Sequence, residues 1–117
     1  MRRALLFLSF AASLCRAQSY DEFFTGATMR VDYYRIGTKG EERITLDRVY
    51  HEGAWPGSRI NLLDTLNLGD DMIKVSDLQT NMLLYTRGYS TVFGEWQTTD
   101  EALAGTWRTF HETVRFP

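Results

Sequence analysis

The dipeptide His-Glu occurs twice in this chain, at residues 51–52 and 111–112, and it is the start of a pattern that can bind zinc. In the helical motif of zinc proteases, a second histidine follows four residues after the first, so that both imidazoles face one ion. Trp55 and Arg115 occupy that position in the two pairs. We therefore interpret both pairs as ordinary polar surface residues.

Other groups that could bind ions or attack substrates lack the neighbours that such sites need. Asp70 and Asp71 are not part of a spaced series of oxygen ligands, and Gly69-Asp70 is typical of a turn. No nucleophile motif surrounds the serines at positions 58, 76 and 90, and the sequence has no Gly-rich phosphate loop. The sequence predicts no catalytic residue, no cofactor-binding residue and no metal site in this chain.

Aromatic residues are numerous, with seven phenylalanines, six tyrosines and three tryptophans in 117 residues. Flat rings bury the CH faces of sugars well, which allows an aromatic binding surface made of Tyr34, Trp55 and Trp107. Tyr34 is the strongest candidate, because strand alternation points it away from Val31 and Tyr33. For the aromatic residues as a set, we favour packing in the core and in hairpins.

Residues 1–17 have the pattern of a secretory signal peptide. Arginines at positions 2 and 3 precede an apolar run, Ala4–Leu14, and the small residues Cys15 and Ala17 fit cleavage after Ala17. The run is shorter than the roughly 20 residues that span a bilayer. We therefore expect a secreted, periplasmic or cell-surface protein without a membrane span, whose mature domain is residues 18–117.

Cys15 is the only cysteine and raises lipoprotein processing as an alternative. Leu14 is bulky at a position where lipid attachment takes a small residue, so simple cleavage is favoured. After that cleavage no disulfide can form, and the domain must be held together by its core.

The charge of the mature domain argues against a nucleic-acid partner. Removing three arginines from the 13 basic side chains leaves ten, against 15 acidic ones, so the formal charge is −5. Nucleic acids and anionic membranes attract basic surfaces. We expect neither as a partner.

Alternation of apolar and polar residues predicts several short strands. Gly37–Gly40 is predicted to be a hairpin loop of four or five residues, and residues 50–67 are predicted to be irregular. The predicted strands are Met29–Ile36, Glu42–Val49, Asp71–Ser76, Met82–Tyr89 and Trp107–Phe116.

The segment between the last two strands carries the one predicted helix. Tyr89–Trp96 is expected to be extended, and Thr98 with Glu101 has the spacing of a capping box, which predicts a short helix over Thr99–Ala104. Together these elements predict an all-β fold, an antiparallel β-sandwich-like domain with one short helix.

Several stretches of the chain, in this order and spacing, resemble the N-terminal domain of the bacterial IgA-peptidase family of secreted zinc metallopeptidases. They are FF followed by TMRVDYY, AWPGSRINLLD, LLYTRGYST, VFGEWQTTDEA and TFHETVRFP. The resemblance covers nearly all of residues 19–117.

The resemblance implies a non-catalytic β-sandwich-like module between a signal peptide and a separate zinc peptidase domain. Zinc, its ligands and the catalytic residues are then expected only in that later domain, which this chain lacks. Family members continue with more strands after the point that matches Phe116-Pro117, so we expect a fragment, truncated at its C-terminus.

Two functions from different classes follow. The first is an accessory domain that supports or positions its own peptidase domain. Such a domain should bury its aromatic residues and leave an unfinished sheet edge. The alternative is a free-standing secreted module that binds a glycan or a protein, and this module should present coplanar aromatic rings on a solvated face.

Overall fold

The computed structural model describes residues 19–117, so the predicted signal peptide and Cys15 lie outside the described residues. The fold is all-β, as predicted, and the described residues form five strands in two antiparallel sheets. The strands are β1 (Ala27–Thr38), β2 (Glu41–Ala54), β3 (Asp71–Ser76), β4 (Leu83–Tyr89) and β5 (Arg108–Phe116). The helices are α1 (Tyr20–Phe23), α2 (Val92–Trp96) and α3 (Asp100–Leu103).

Strand β1 is the centre of the larger sheet, whose order is β2-β1-β5, while β3 and β4 form the second sheet. Side chains of a strand alternate between its two faces. On β1, Tyr33 and Arg35 are buried on the inner face, towards β3 and β4, whereas Tyr34 between them is exposed on the outer face. The inner face therefore includes an arginine as well as apolar residues.

The first hairpin is longer and tighter than predicted. Thr38 pairs with Glu41, so the loop contains two residues, of which Gly40 has a φ of 75°. Strand β2 continues to Ala54, and the prediction that residues 50–54 are irregular was wrong. Those residues are extended because they pair with the beginning of β1, a partner that local sequence does not reveal.

The segment after β4 is helical, and the prediction of an extended run up to Trp96 was wrong. Phe93 and Trp96 are three positions apart, and a helical turn places them on one side, where both are buried against Ala102 and packed by Phe110. The predicted helix begins at Asp100, and its N-cap is Thr99 rather than Thr98. The described residues therefore contain three short helices instead of one.

In the part of the chain that the structure describes, two separate clusters form the core. The first contains Tyr20, Leu62 and Tyr85, with Phe116 and other partly buried residues packed on it. The second is the cluster around the fully buried Phe93. Over residues 19–117, no helix has both the length and the apolar character needed to cross a membrane.

Candidate functional site

The two histidines lie far apart on the larger sheet. His51 on β2 pairs with Met29 of β1, and His111 on β5 pairs with Tyr34. Met29 and Tyr34 are five residues apart, about 17 Å along a strand, and their side chains point to opposite faces. One ion cannot bind both histidines, and the described residues contain no group of three or more His, Cys, Asp or Glu side chains that could hold a metal.

The glutamates that follow the histidines form ion pairs with arginines. Glu52 accepts hydrogen bonds from Arg30 at 2.8 Å and from Arg115 at 2.9 Å. Glu112 accepts one from Nε of Arg35 at 3.0 Å. These carboxylates take part in ion pairs within the sheet, whereas the glutamate of a zinc-protease site acts as the general base.

The residues of the predicted aromatic surface lie on different parts of the molecule. The backbone N–H of Trp55 donates to the carbonyl oxygen of Gly26. Gly26 is eight residues before Tyr34, so Trp55 lies about 26 Å from Tyr34 along the strand direction. Trp107 immediately precedes β5 and is four residues, about 13 Å, from His111, the partner of Tyr34. The structure does not bring the three rings together. A binding role for any one of them stays a prediction.

Each of these three rings has its own surroundings. Tyr34 is 38% exposed and stacks on His111 with 4.7 Å between ring centroids. Trp107 is 47% exposed. Trp55 is half-buried, meets Tyr85 edge-on at 6.1 Å and lines a cavity of about 910 Å³ beneath the loop that follows it.

A buried group of charges lies on the inner face around Arg35, which is 3% exposed. Its guanidinium binds three carboxylates: Glu42 of β2 at 3.0 Å, Asp71 of β3 at 2.9 Å and Glu112 of β5 at 3.0 Å. We call these four residues the Arg35 centre. One side chain thus connects both outer strands of the larger sheet to the second sheet.

The electrostatics of the Arg35 centre keep the arginine charged. Burial alone would lower the pKa of Arg35, but hydrogen bonds with Tyr33 and Asp71 and the charges of Glu112 and Asp71 raise it overall. A planar guanidinium offers five donors on three nitrogens in a fixed fork, whereas a lysine offers three donors on a single nitrogen. The centre is suited to holding strands in place.

Tyr33 connects the same face to the end of β4. Its hydroxyl lies 3.2 Å from that of Tyr89. Burial, and next the hydrogen bond with Tyr89, raise the pKa of Tyr33 far above its usual value. Both rings line a cavity of about 400 Å³ beside β5. A phenol with a raised pKa stays neutral and donates hydrogen bonds.

The outer face of the larger sheet carries a second network. Thr113 donates to Asp32 at 2.8 Å, and this hydrogen bond, with further help from Arg30, lowers the pKa of Asp32. Arg30 also lies over the ring of Tyr50, 4.0 Å from its centroid. His111 contacts Asp47 at 3.2 Å. This network ties β5 and β2 across β1.

Sequence reasoning considered Asp71 and Glu112 only as possible ion-binding residues and set both aside, and it gave no role to Arg35 or Glu42. One signal was available, since Arg35 continues the inward positions of Val31 and Tyr33 on β1. A charged residue on the inner side of a strand needs buried partners. The partners themselves follow only from the packing of the sheets.

One comparison with known protein families gave a match. A family model described as Peptidase M64 N-terminus matches residues 19–117, which is the whole described part of the chain. The match confirms the resemblance found in the sequence. No curated protein matches the chain.

Proposed function

This chain belongs to the family of peptidase M64 N-terminal domains, and from this membership we infer that it is a non-catalytic accessory domain of a secreted zinc metallopeptidase. Its role is to support or to position the peptidase domain. The observation that carries the proposal is the family match across all described residues. Secretion is proposed from the signal pattern of residues 1–17.

The geometry of the described residues supports a separate location for zinc binding and hydrolysis. The histidines are on opposite faces of the sheet, and the nearby glutamates are held by arginines. These residues do not fit a zinc ion, which needs three or four converging ligands. In our proposal, zinc and the hydrolytic residues belong to the peptidase domain.

The open edge of β5 supports the accessory role as well. In the part of the chain that the structure describes, β5 pairs only with β1. The accessory hypothesis expects such an unfinished edge. An unpaired edge offers backbone donors and acceptors to another strand. We propose that the polypeptide of the peptidase extends the sheet at this edge.

The test joins this chain to the peptidase domain of a family member and compares the fusion with the peptidase domain alone. We expect this chain alone to hydrolyse nothing, with or without added zinc. A higher melting temperature of the fused peptidase would indicate support, and a higher kcat/KM on a protein substrate alone would indicate positioning. A fusion with Arg35→Met tests a domain whose strands are held less firmly, and a fusion with Lys74→Met, which removes an exposed cation from β3, is the matched control. The proposal fails if the fusion changes neither property.

A second candidate is the free-standing binding module, and the cavity beside Trp55 is the observation that favours it. Asn61, Asp64 and Arg87 line the same cavity, and aromatic rings with planar polar groups are the side chains that sugars bind. Titration with saccharides should then shift the fluorescence of Trp55, and Trp55→Phe should abolish the shift while Trp107→Phe retains it. No shift with any saccharide tested would remove this candidate.

A further inference from the structure

Strand β2 has an unusually open edge. It is 14 residues long, and within the described residues it pairs only with β1. Residues 41–49 are all exposed. Long unpaired edges are sites where another strand adds, and natural proteins usually cover or shorten them. This edge is neither short nor covered by described residues.

The inner face of β2 also carries an uncovered row of apolar side chains. Ile44 is 56% exposed, Leu46 is 67% exposed and Val49 is 53% exposed. We call these three residues the β2 strip. By their register with Arg35, Tyr33 and Val31, they lie on the face that the second sheet covers over β1. An apolar row next to an open edge indicates a binding surface.

The order of residues in β2 is complementary to itself. An antiparallel copy centred on Thr45 would place Ile44 opposite Leu46, and Arg43 opposite Asp47. An apolar side chain then faces an apolar one, and a positive side chain faces a negative one. The twofold axis makes each of these contacts occur twice in the dimer. Both members of each pair also point to the same face. Ile44 and Leu46 point to the inner face. Arg43 and Asp47 point to the outer face, where Asp47, the extra residue of a bulge, contacts His111.

From this complementarity we propose that the chain forms a symmetric dimer through β2, with a second copy as the partner of the open edge. The two larger sheets then join into one six-stranded sheet, in the order β5-β1-β2-β2-β1-β5. The two β2 strips lie side by side in the groove between the second sheets of the copies. The dimer is independent of the accessory role proposed above.

The present contacts of the charged residues allow this pairing. Arg43 contacts Glu41 at 3.4 Å and its side chain is 75% exposed, so it can turn to a carboxylate of the second copy. Among residues 19–117, Asp47 uses one carboxylate oxygen, which contacts Nε2 of His111 at 3.2 Å, and its other oxygen can accept from a second copy. The bulge at Asp47 limits the strict register to residues 43–47, and we expect a weak, concentration-dependent dimer.

The first test is a cross-link at the twofold axis. In an antiparallel pair, opposite Cα atoms are about 4.5–5.5 Å apart, which lies in the range that a disulfide spans. Thr45→Cys in a Cys15→Ser background of the full chain should form a disulfide dimer under mild oxidation. Thr109→Cys in the same background, exposed on β5 at the other side of the sheet, should remain monomeric. Equal yields from the two variants, or none from Thr45→Cys, would overturn the proposal.

The second test is a charge swap followed by sedimentation over a range of concentrations. Arg43→Asp places like charges opposite each other at both ends of the pairing and should raise the dimer dissociation constant at least tenfold. Asp47→Arg should do the same, and R43D/D47R should restore the dimer. If Arg43 or Asp47 only stabilised the fold of its own copy, the double variant would not restore the dimer.

Lys74→Asp is the matched control, because it makes the same change of charge on the second sheet and should leave the dimer unchanged. A full chain that is monomeric at every concentration tested would overturn the proposal and leave the edge to another partner. A dimer whose dissociation constant is raised by neither single swap would also overturn the proposal.

Discussion

The guanidinium of Arg35 lies 2.9 Å from the carboxylate of Asp71, and this ion pair joins the two sheets. The residues are 36 positions apart in sequence and come from the central strand of one sheet and the first strand of the other. Because Arg35 is buried and also binds Glu42 and Glu112, the positions of three other strands depend on one side chain.

Removing the arginine should destabilise the domain strongly. Arg35→Met leaves the carboxylates of Asp71 and Glu112 without their cation, and breaking a buried pair in this way costs about 3–5 kcal/mol. Denaturant unfolding of the full chain measures the loss. Lys74→Met, which also removes a cation but from an exposed site on β3, should stay within about 0.5 kcal/mol of the parent. Similar losses in the two variants would contradict the central role of Arg35.

Acid should destabilise the domain through carboxylates that the fold keeps ionised. Hydrogen bonds from the backbone N–H groups of Leu66, first, and Gly88 lower the pKa of Asp64 below its ordinary 3.8. A lowered folded pKa means that this stabilisation is present above pH 3.8 and is lost as the pH falls through the folded value. Asp64→Asn should therefore lower stability at neutral pH and flatten the acid limb of the stability curve.

Melting temperatures from about pH 7 down to about pH 2 test the acid prediction. The matched control is Asp21→Asn, which removes one carboxylate from the surface of α1 and should keep the shape of the parent curve. A parent-like acid limb in Asp64→Asn would show that the loop carboxylate is not linked to folding.

Alkaline pH should destabilise the domain through Tyr33, the buried tyrosine of β1. Burial and the hydrogen bond with Tyr89 raise the pKa of Tyr33 above its ordinary 10.0. The folded state then holds a proton that the unfolded state releases, so this contribution is complete below pH 10 and is lost as the pH rises above it. Ultraviolet titration should show Tyr33 ionising only as the domain unfolds, and Tyr33→Phe should flatten the alkaline limb. Tyr50→Phe, on the outer face, should retain the slope of the parent.

Gly37 should tolerate no side chain. A Cβ at this position would lie 2.3 Å from the carbonyl oxygen of Glu41 and 2.8 Å from Cζ of the buried Phe93. Gly37→Ala should therefore destabilise the domain by about 1–3 kcal/mol, the usual range for overpacking. Gly53→Ala is the matched control on β2, where a Cβ meets nothing within 4 Å. Thermal unfolding compares them, and equal stability would argue against close packing of β1 on α2.

The sequence by itself determined the strands and the family. Alternation along Met29–Ile36 and Asp71–Ser76 is a local property, because neighbouring side chains of any strand must face opposite sides. The all-β class follows from such stretches, and so does the hairpin of β3 and β4, whose members are close in sequence. The resemblance needed only the order and spacing of short segments, which the family match then confirmed.

Only the tertiary structure decided where side chains meet. Glu112 is 77 residues from Arg35, and no local pattern relates the two. The same limit explains the wrong predictions, because residues 50–54 become a strand by pairing with β1, and the helix α2 forms to bury Phe93 and Trp96 together. The sequence grouped Tyr34, Trp55 and Trp107 as one possible surface, with Tyr34 as the strongest candidate, and strand register places the three rings apart. Local sequence sets the direction in which a side chain points, whereas the packing of the sheets determines what it contacts.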